Sequence, residues 1–287
     1  MAAGTRAPAA SAAPVRNVGG AILRSVTLVV LLLIFMFPFY WMIATSVQTA
    51  EGLFSGVKIV PDTFTLGNYG SVLQSDFVRI NVRNSLLIAT GTTIVTTLLA
   101  LAASLGFLRY RYRGRRFFSR LVVLVYLFPT VLVLVPLYFV AARLGLLNNP
   151  VGLIAVHSVL ALPLCLWILQ SYLEGVPREP EEAAMVFGAS RARAFRIATL
   201  PLAAPGILAA AAFAFILSWG EYMFSFIMSP DPARKTVPVA LKDLFSSYSM
   251  DWGVVTAAGV VATVPVLLLF WLMGKYLAAG LAKGAFD

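Results

Sequence analysis

Catalytic or metal chemistry needs clustered acids, bases, nucleophiles or ligands, and this chain of 287 residues offers few. It has one histidine, His157, and one cysteine, Cys165, which exclude a His-ligated metal centre, a Cys-based zinc site and a disulfide framework. No Gly-x-x-x-x-Gly-Lys-Ser/Thr phosphate loop occurs. The acid in the most unusual setting is Glu221, the one ionisable residue expected inside an apolar span. A charge at that depth is expensive, so Glu221 must face a water-filled cavity or a partner group. Trp219 and Tyr222 stand beside it. His157 and Cys165 fall in one apolar stretch with Trp167 and read as a hydrogen-bonded packing histidine and a small core residue.

The elements that position these residues follow from composition. The chain is 60% hydrophobic and 12% charged, with a mean hydropathy of +0.88. A soluble protein carries about 25% charge, so lipid must solvate much of this surface. A spanning helix needs about 20 apolar residues, and six charge-free windows reach that length. The expected spans are approximately 21–47, 84–108, 120–142, 150–173, 202–228 and 252–276, the fifth continuing past Glu221 to Met228. The period-two alternation of a membrane β-barrel is absent. The fold class is thus all-α, a polytopic membrane protein with six transmembrane helices.

Six spans place both termini on one side. If that side is cytoplasmic, fifteen of the 22 lysines and arginines lie inside, the run Arg109–Arg120 above all. Basic loops stay in the cytoplasm, so both ends are expected there, and the net charge of +10 reads as topogenic, with no nucleic acid as partner. Residues 1–20, rich in alanine and proline, are expected to be a disordered cytoplasmic segment ahead of a transmembrane domain over 21–287. The first span is too long, and too bulky where cleavage would fall, for a signal peptide.

Three loops exceed a simple turn. Val47–Arg83 and Ser229–Asp251 lie outside, and 174–201 lies inside. The inside loop reads as a helix-turn-helix. Pro180 suits a first helical position, and Glu181 and Glu182 complement the N-terminal dipole. Ala183, Ala184 and Phe187 share one face, and Gly188 supplies a left-handed turn. A second short helix through Ala194, Phe195 and Ala198 is expected before Leu200 and Pro201 open the fifth span. Two alanines that admit another backbone, with Phe187 to fill a pocket, make a docking knob.

Glu182-Ala183-Ala184, then Gly188 after three residues and Leu200-Pro201 twelve positions on, resemble the EAA coupling loop of binding-protein-dependent ABC importer permeases. Ala198 departs from the branched apolar residue usual two before the leucine, with Ile197 one position earlier. From about residue 25 to 285 the chain resembles the smaller, maltose-type permease subunit of carbohydrate ABC importers. The stretches Phe64–Tyr69, Asn84–Leu86, Arg113–Arg116, Pro136–Tyr138, Leu144–Asn148, Trp219–Tyr222 and Gly280–Ala285 carry that likeness. Gly220 stands where the family has asparagine, and Gly274 where glutamine is usual.

The resemblance implies a type I ABC importer permease fold in a bacterial or archaeal cell membrane. It implies a second permease subunit in a heterodimer, two ABC ATPase subunits that hold ATP and magnesium, and an extracytoplasmic sugar-binding protein. This chain would bind no cofactor and catalyse no reaction. Glu181, Glu182, Ala183, Ala184, Phe187, Gly188, Leu200 and Pro201 would form the ATPase-coupling loop. Trp219, Glu221 and Tyr222 would line the translocation path, stacking on sugar rings and bonding to hydroxyls; the other reading of these three is structural, near the outer interface. The Ser229–Asp251 loop, with Lys235, Phe245 and Tyr248, either touches the sugar-binding protein or is a solvated connector. Maltodextrins, trehalose, other oligosaccharides and glycerol phosphates all suit such a permease. An ion-coupled secondary transporter is the alternative, although it needs more intramembrane carboxylates or an internal repeat. A membrane enzyme would need a reactive cluster that the sequence lacks.

Overall fold

The computed structural model describes residues 18–56, 58–125, 127–246 and 250–284. Most of the expected N-terminal segment, and Tyr248 and Ala285, lie outside the described residues. Among the described residues every regular element is helical. They are α1 (Val18–Ser46), α2 (Ala50–Phe54), α3 (Gly67–Gln74), α4 (Arg83–Arg109), α5 (Arg115–Val125), α6 (Thr130–Arg143), α7 (Pro150–Glu174), α8 (Glu179–Val186), α9 (Arg191–Ala194), α10 (Leu200–Gly220), α11 (Met223–Met228), α12 (Val237–Phe245) and α13 (Trp252–Gly284). Hydrocarbon offers no partner to an open N–H or C=O, so a chain this apolar must close its hydrogen bonds within each segment.

Five helical stretches are long and apolar enough to cross a membrane: Leu23–Ser46, Phe77–Arg109, Pro150–Glu174, Arg191–Gly220 and Trp252–Gly274. The second starts ahead of its expected position because a π-helical stretch, Phe77–Val82, runs straight into α4. The expected third span over 120–142 is corrected: it is two helices, α5 and α6, with a break before Thr130. Pro129 sits at that break with φ −58° and ψ 125°. It lacks an N–H and disfavours helical geometry at Phe128.

The fifth span departs from expectation at both ends. No break separates the second loop helix from the membrane helix; α9, a π turn over Phe195–Thr199 and α10 form one continuous rod. Ile197, whose carbonyl Pro201 can neither bond nor clear, lies inside the π turn, which absorbs the proline. At the far end α10 stops at Gly220, and α11 begins after Glu221 and Tyr222, so 202–228 is not one helix.

The core is built where α4, α7 and α10 meet, with α13 against α10 and α1 laid on α13. Small residues dominate these seams: Ala89, Ala100, Ala161, Ala203, Ala210 and Ala214 are all but inaccessible. In membranes small side chains let backbones approach closely. Gly206 on α10 is the tightest case, since a Cβ there would lie 2.7 Å from Tyr172 Cβ on α7. Outward-facing apolar residues, such as Leu28, Leu98 and Leu268, are exposed as lipid contacts require. Gly206→Val is expected to cost about 1–3 kcal/mol of stability through overpacking. It should lower the melting temperature in detergent, whereas Gly220→Ala, with nothing within 4 Å of its Cβ, should leave it unchanged.

Candidate functional site

The inside loop folds as helix, left-handed turn and helix. Glu179, Glu181 and Glu182 occupy the first turn of α8, beside its positive dipole end, with Pro180 at the second position. Gly188 has φ +88°, a conformation that glycine adopts freely. The turn closes through Phe187 N–H to Ala183 O at 3.1 Å, Gly188 N–H to Met185 O at 3.0 Å and Ala189 N–H to Ala184 O at 3.0 Å. Ser190 then caps α9, its hydroxyl accepting from the Arg193 N–H at 3.4 Å. At the tip Val186 is 85% and Phe187 91% exposed, and Glu182 and Ala183 are also exposed. Ala184 and Leu200 are half-buried and Pro201 is exposed.

Glu181 behaves differently. Its side chain is only 13% exposed and points back to the membrane helices. The Thr199 hydroxyl, in the π turn below α10, donates to Glu181 Oε2 at 2.7 Å. Arg109, the last residue of α4, places Nη2 3.3 Å from the same oxygen. Arg178, just before α8, donates from Nη2 to Leu108 O at 2.9 Å. Glu181 therefore belongs to the base of the loop, not to its exposed tip. Arg109, Arg178 and Thr199 complete this base. The sequence carries no signal for them, since they meet Glu181 or α4 only through the tertiary fold. Between the loop and the end of α4 lies a cleft of about 520 Å³, bordered by Arg109, Tyr110, Arg178, Glu182 and Met185.

The second constellation sits at the break in the fifth span. Glu221 bonds the open end of α11: the Phe224 N–H donates to Oε1 at 2.8 Å and the Ser225 N–H to Oε2 at 3.0 Å, with the Ser225 hydroxyl at 3.1 Å. His157 on α7, wholly buried, sets Nε2 3.2 Å from Glu221 Oε2. Its Nδ1 shares a 2.8 Å hydrogen bond with Ser218 Oγ, which donates to Thr92 Oγ1 on α4 at 3.3 Å. The intramembrane acid thus has the partner its burial demands. Trp219 points elsewhere: it is buried, stacks on Phe215 at 5.7 Å, and donates from Nε1 to Ala262 O on α13 at 3.1 Å. Tyr222 is half-buried and stacks on Phe226 at 5.4 Å. The three residues adjacent in sequence therefore face three surroundings, and only Glu221 joins the polar network. Cys165 is buried, donating to Ala210 O at 3.3 Å.

The Ser229–Asp251 loop is structured where it is described. It forms a short 3-10 turn, Pro232–Arg234, and α12. Lys235 pairs with Asp243 at 2.6 Å, and the Val237 N–H donates to Ser85 Oγ at 2.8 Å. Asn81 and Asn84 both donate to Lys235 O at 3.1 Å, tying the loop to the start of the second span. Phe245 is exposed.

Residues 96–283 match the family model described as "Binding-protein-dependent transport system inner membrane component". This chain belongs to that family. It is similar to the sulfoquinovosyl glycerol transport system permease SmoH of Agrobacterium fabrum, at 33% identity over 91% of this chain and 92% of SmoH. It is also 33% identical to the trehalose/maltose permease MalG of Thermococcus litoralis, over 92% of this chain and 96% of MalG. The diacetylchitobiose permease DasC of Streptomyces coelicolor is 30% identical over 94% and 98%. The fold matches a chain in the crystal structure of a bacterial ABC transporter involved in the import of the acidic polysaccharide alginate. That match has a TM-score of 0.78 at 22% identity and covers 93% and 99% of the two chains. The permease is thus an inner-membrane transport component of the ABC importer fold, and the ion-coupled alternative is set aside.

Glu221→Ala removes the acceptor of two backbone N–H groups within the membrane. It is expected to destabilise the permease by about 1–3 kcal/mol for each donor left bare, read as a lowered melting temperature in detergent. Glu221→Gln, which keeps one acceptor oxygen, should lie between the variant and the parent.

Proposed function

We propose that this chain is the permease subunit of an importer that moves a carbohydrate into the cytoplasm, driven by separate ATPase subunits. The observation that carries this reading is the construction of the loop over 174–201. Its tip presents an exposed aromatic and an exposed alanine, while its base is bonded to the ends of α4 and α10. A tip gripped by a moving partner would pass that movement into two spans of the core. The cargo class is supported by relatives whose cargoes are a sulfosugar glycoside, trehalose or maltose, and diacetylchitobiose. All present ring faces and hydroxyls.

In this reading a second permease completes the pathway, two ATPase subunits dock beneath the pair, one of them against Phe187 and Ala183 of this chain, and an extracytoplasmic sugar-binding protein delivers ligand to the opposite face. ATP and magnesium are held by the ATPases, since this chain has no phosphate loop and performs no hydrolysis of its own. The excess of basic residues in the inside loops supports a coupling side, with both termini, in the cytoplasm. Of the residues expected along the path, Tyr222 stacked with Phe226 offers an aromatic face to sugar. Glu221 serves that face by holding the span open beside it.

Proteoliposomes holding the complete importer test this directly, with binding protein and labelled sugar on one side and ATP on the other. Uptake should require ATP and binding protein together. Gly188→Val forces a β-branched residue to φ +88°, a strain of about 1–3 kcal/mol at the turn. It should cut sugar uptake while ATP hydrolysis persists. Uptake that proceeds without ATP would refute the assignment.

A further inference from the structure

We propose that the corner between α4 and α5, with the facing end of α7, holds the phosphate headgroup of an anionic phospholipid. After α4 ends at Arg109, Gly114 with φ +87° turns the chain into α5, which carries Phe117, Phe118, Leu121 and Leu124 exposed along its length. Beside this apolar flank lies a cleft of about 310 Å³, lined by Arg115, Ser119 and Arg120 of α5, Gln170 and Glu174 of α7, and Phe107 of α4.

The decisive group is Gln170. Its Oε1 accepts from Ser119 Oγ at 3.0 Å, which leaves Nε2 buried and without a partner among the described residues. A buried amide donor in that state is costly and calls for an acceptor. Two guanidinium groups stand at the same cleft. Arg115 donates from Nη1 to Tyr110 O at 3.2 Å, and among the described residues no ion pair joins Arg115 or Arg120 to a carboxylate. Glu174 on the rim pairs with neither of them. Two cations and an orphan amide donor outweigh that one carboxylate and suit an oxyanion.

Position selects the source of that oxyanion. The cleft lies where α4 and α7 end, the level at which spans leave hydrocarbon, and Phe117 and Phe118 continue it toward the acyl region. A soluble anion makes no use of that flank; a lipid uses both parts. The site is independent of the cargo and needs only that α4 and α7 cross the membrane.

The test is native mass spectrometry of the complete importer, extracted from vesicles of equal phosphatidylglycerol and phosphatidylcholine. The parent complex should retain phosphatidylglycerol preferentially. Arg115→Gln with Arg120→Gln should reduce that retention about 25-fold, at roughly fivefold per arginine near a headgroup. Gln170→Leu leaves net charge unchanged and should also reduce it, whereas Arg143→Gln, which removes a charge at the end of α6 outside the cleft, should not. An unchanged melting temperature in detergent shows that the Gln170→Leu complex is folded. Equal retention of both lipids would overturn the proposal. So would a Gln170→Leu complex with unchanged preference, which would reduce the corner to diffuse charge. Displacement of the lipid by inorganic phosphate would assign the cleft to a free anion and overturn the lipid.

Discussion

The interaction on which the loop's role depends is made by Glu181 at the base of α8, where one carboxylate meets the Thr199 hydroxyl below α10 and the Arg109 guanidinium at the end of α4. The three groups come from segments far apart in sequence, so only the folded bundle assembles them. With Arg178 bonded to Leu108 O, the loop is held at two points to α4, one of the three helices that build the core. Such a base is partly screened from water, where a charged hydrogen bond is worth more than at an open surface. The tip is the opposite: Val186 and Phe187 expose apolar surface that none of the described residues covers. A rigid base below an uncovered tip is the form a lever takes.

The second constraint is the bilayer itself. Hydrocarbon penalises every open backbone group, yet the fifth span stops at Gly220 and restarts at Met223. The Glu221 carboxylate resolves this by accepting the N–H groups at the start of α11, and His157 Nε2 lies 3.2 Å from it. The network continues through Ser218 to Thr92 and so links α7, α10, α11 and α4. An ionisable residue within a span is here an architectural component: it permits the break instead of merely tolerating the membrane.

Much of this was legible in the sequence, and the reasons are physical. Charge-free windows located the spans because the cost of a buried charge leaves a long gap between charges. Gly188 was readable as a left-handed turn because few other residues adopt that φ. Glu182, Ala183 and Phe187 were recognisable by spacing, and all three are exposed. The breaks were not legible. Pro129 and Pro136 both lie in the third apolar window, yet only Pro129 interrupts it, while Pro136 stays inside α6. Leu200 and Pro201 do open α10, but the π turn before them joins it to α9 without the expected break. Glu181 looked like a dipole-complementing residue of the tip. Its true partners lie 18 and 72 positions away, where no local periodicity points, and Trp219 is turned onto α13 by packing that sequence neighbours do not reveal.

The most direct measurement of whether the loop moves as one piece with the spans is a distance followed through the ATPase cycle. Spin labels at Val186 on the exposed tip and Leu98 on the lipid face of α4, with Cys165 replaced by alanine, would report it in the reconstituted importer. If Glu181 locks α8 to α4, the distance distribution stays narrow and unmoved between the nucleotide-free and ATP-trapped states, even as labels across the two permeases shift. A tip that swings relative to α4 between those states would contradict the lever.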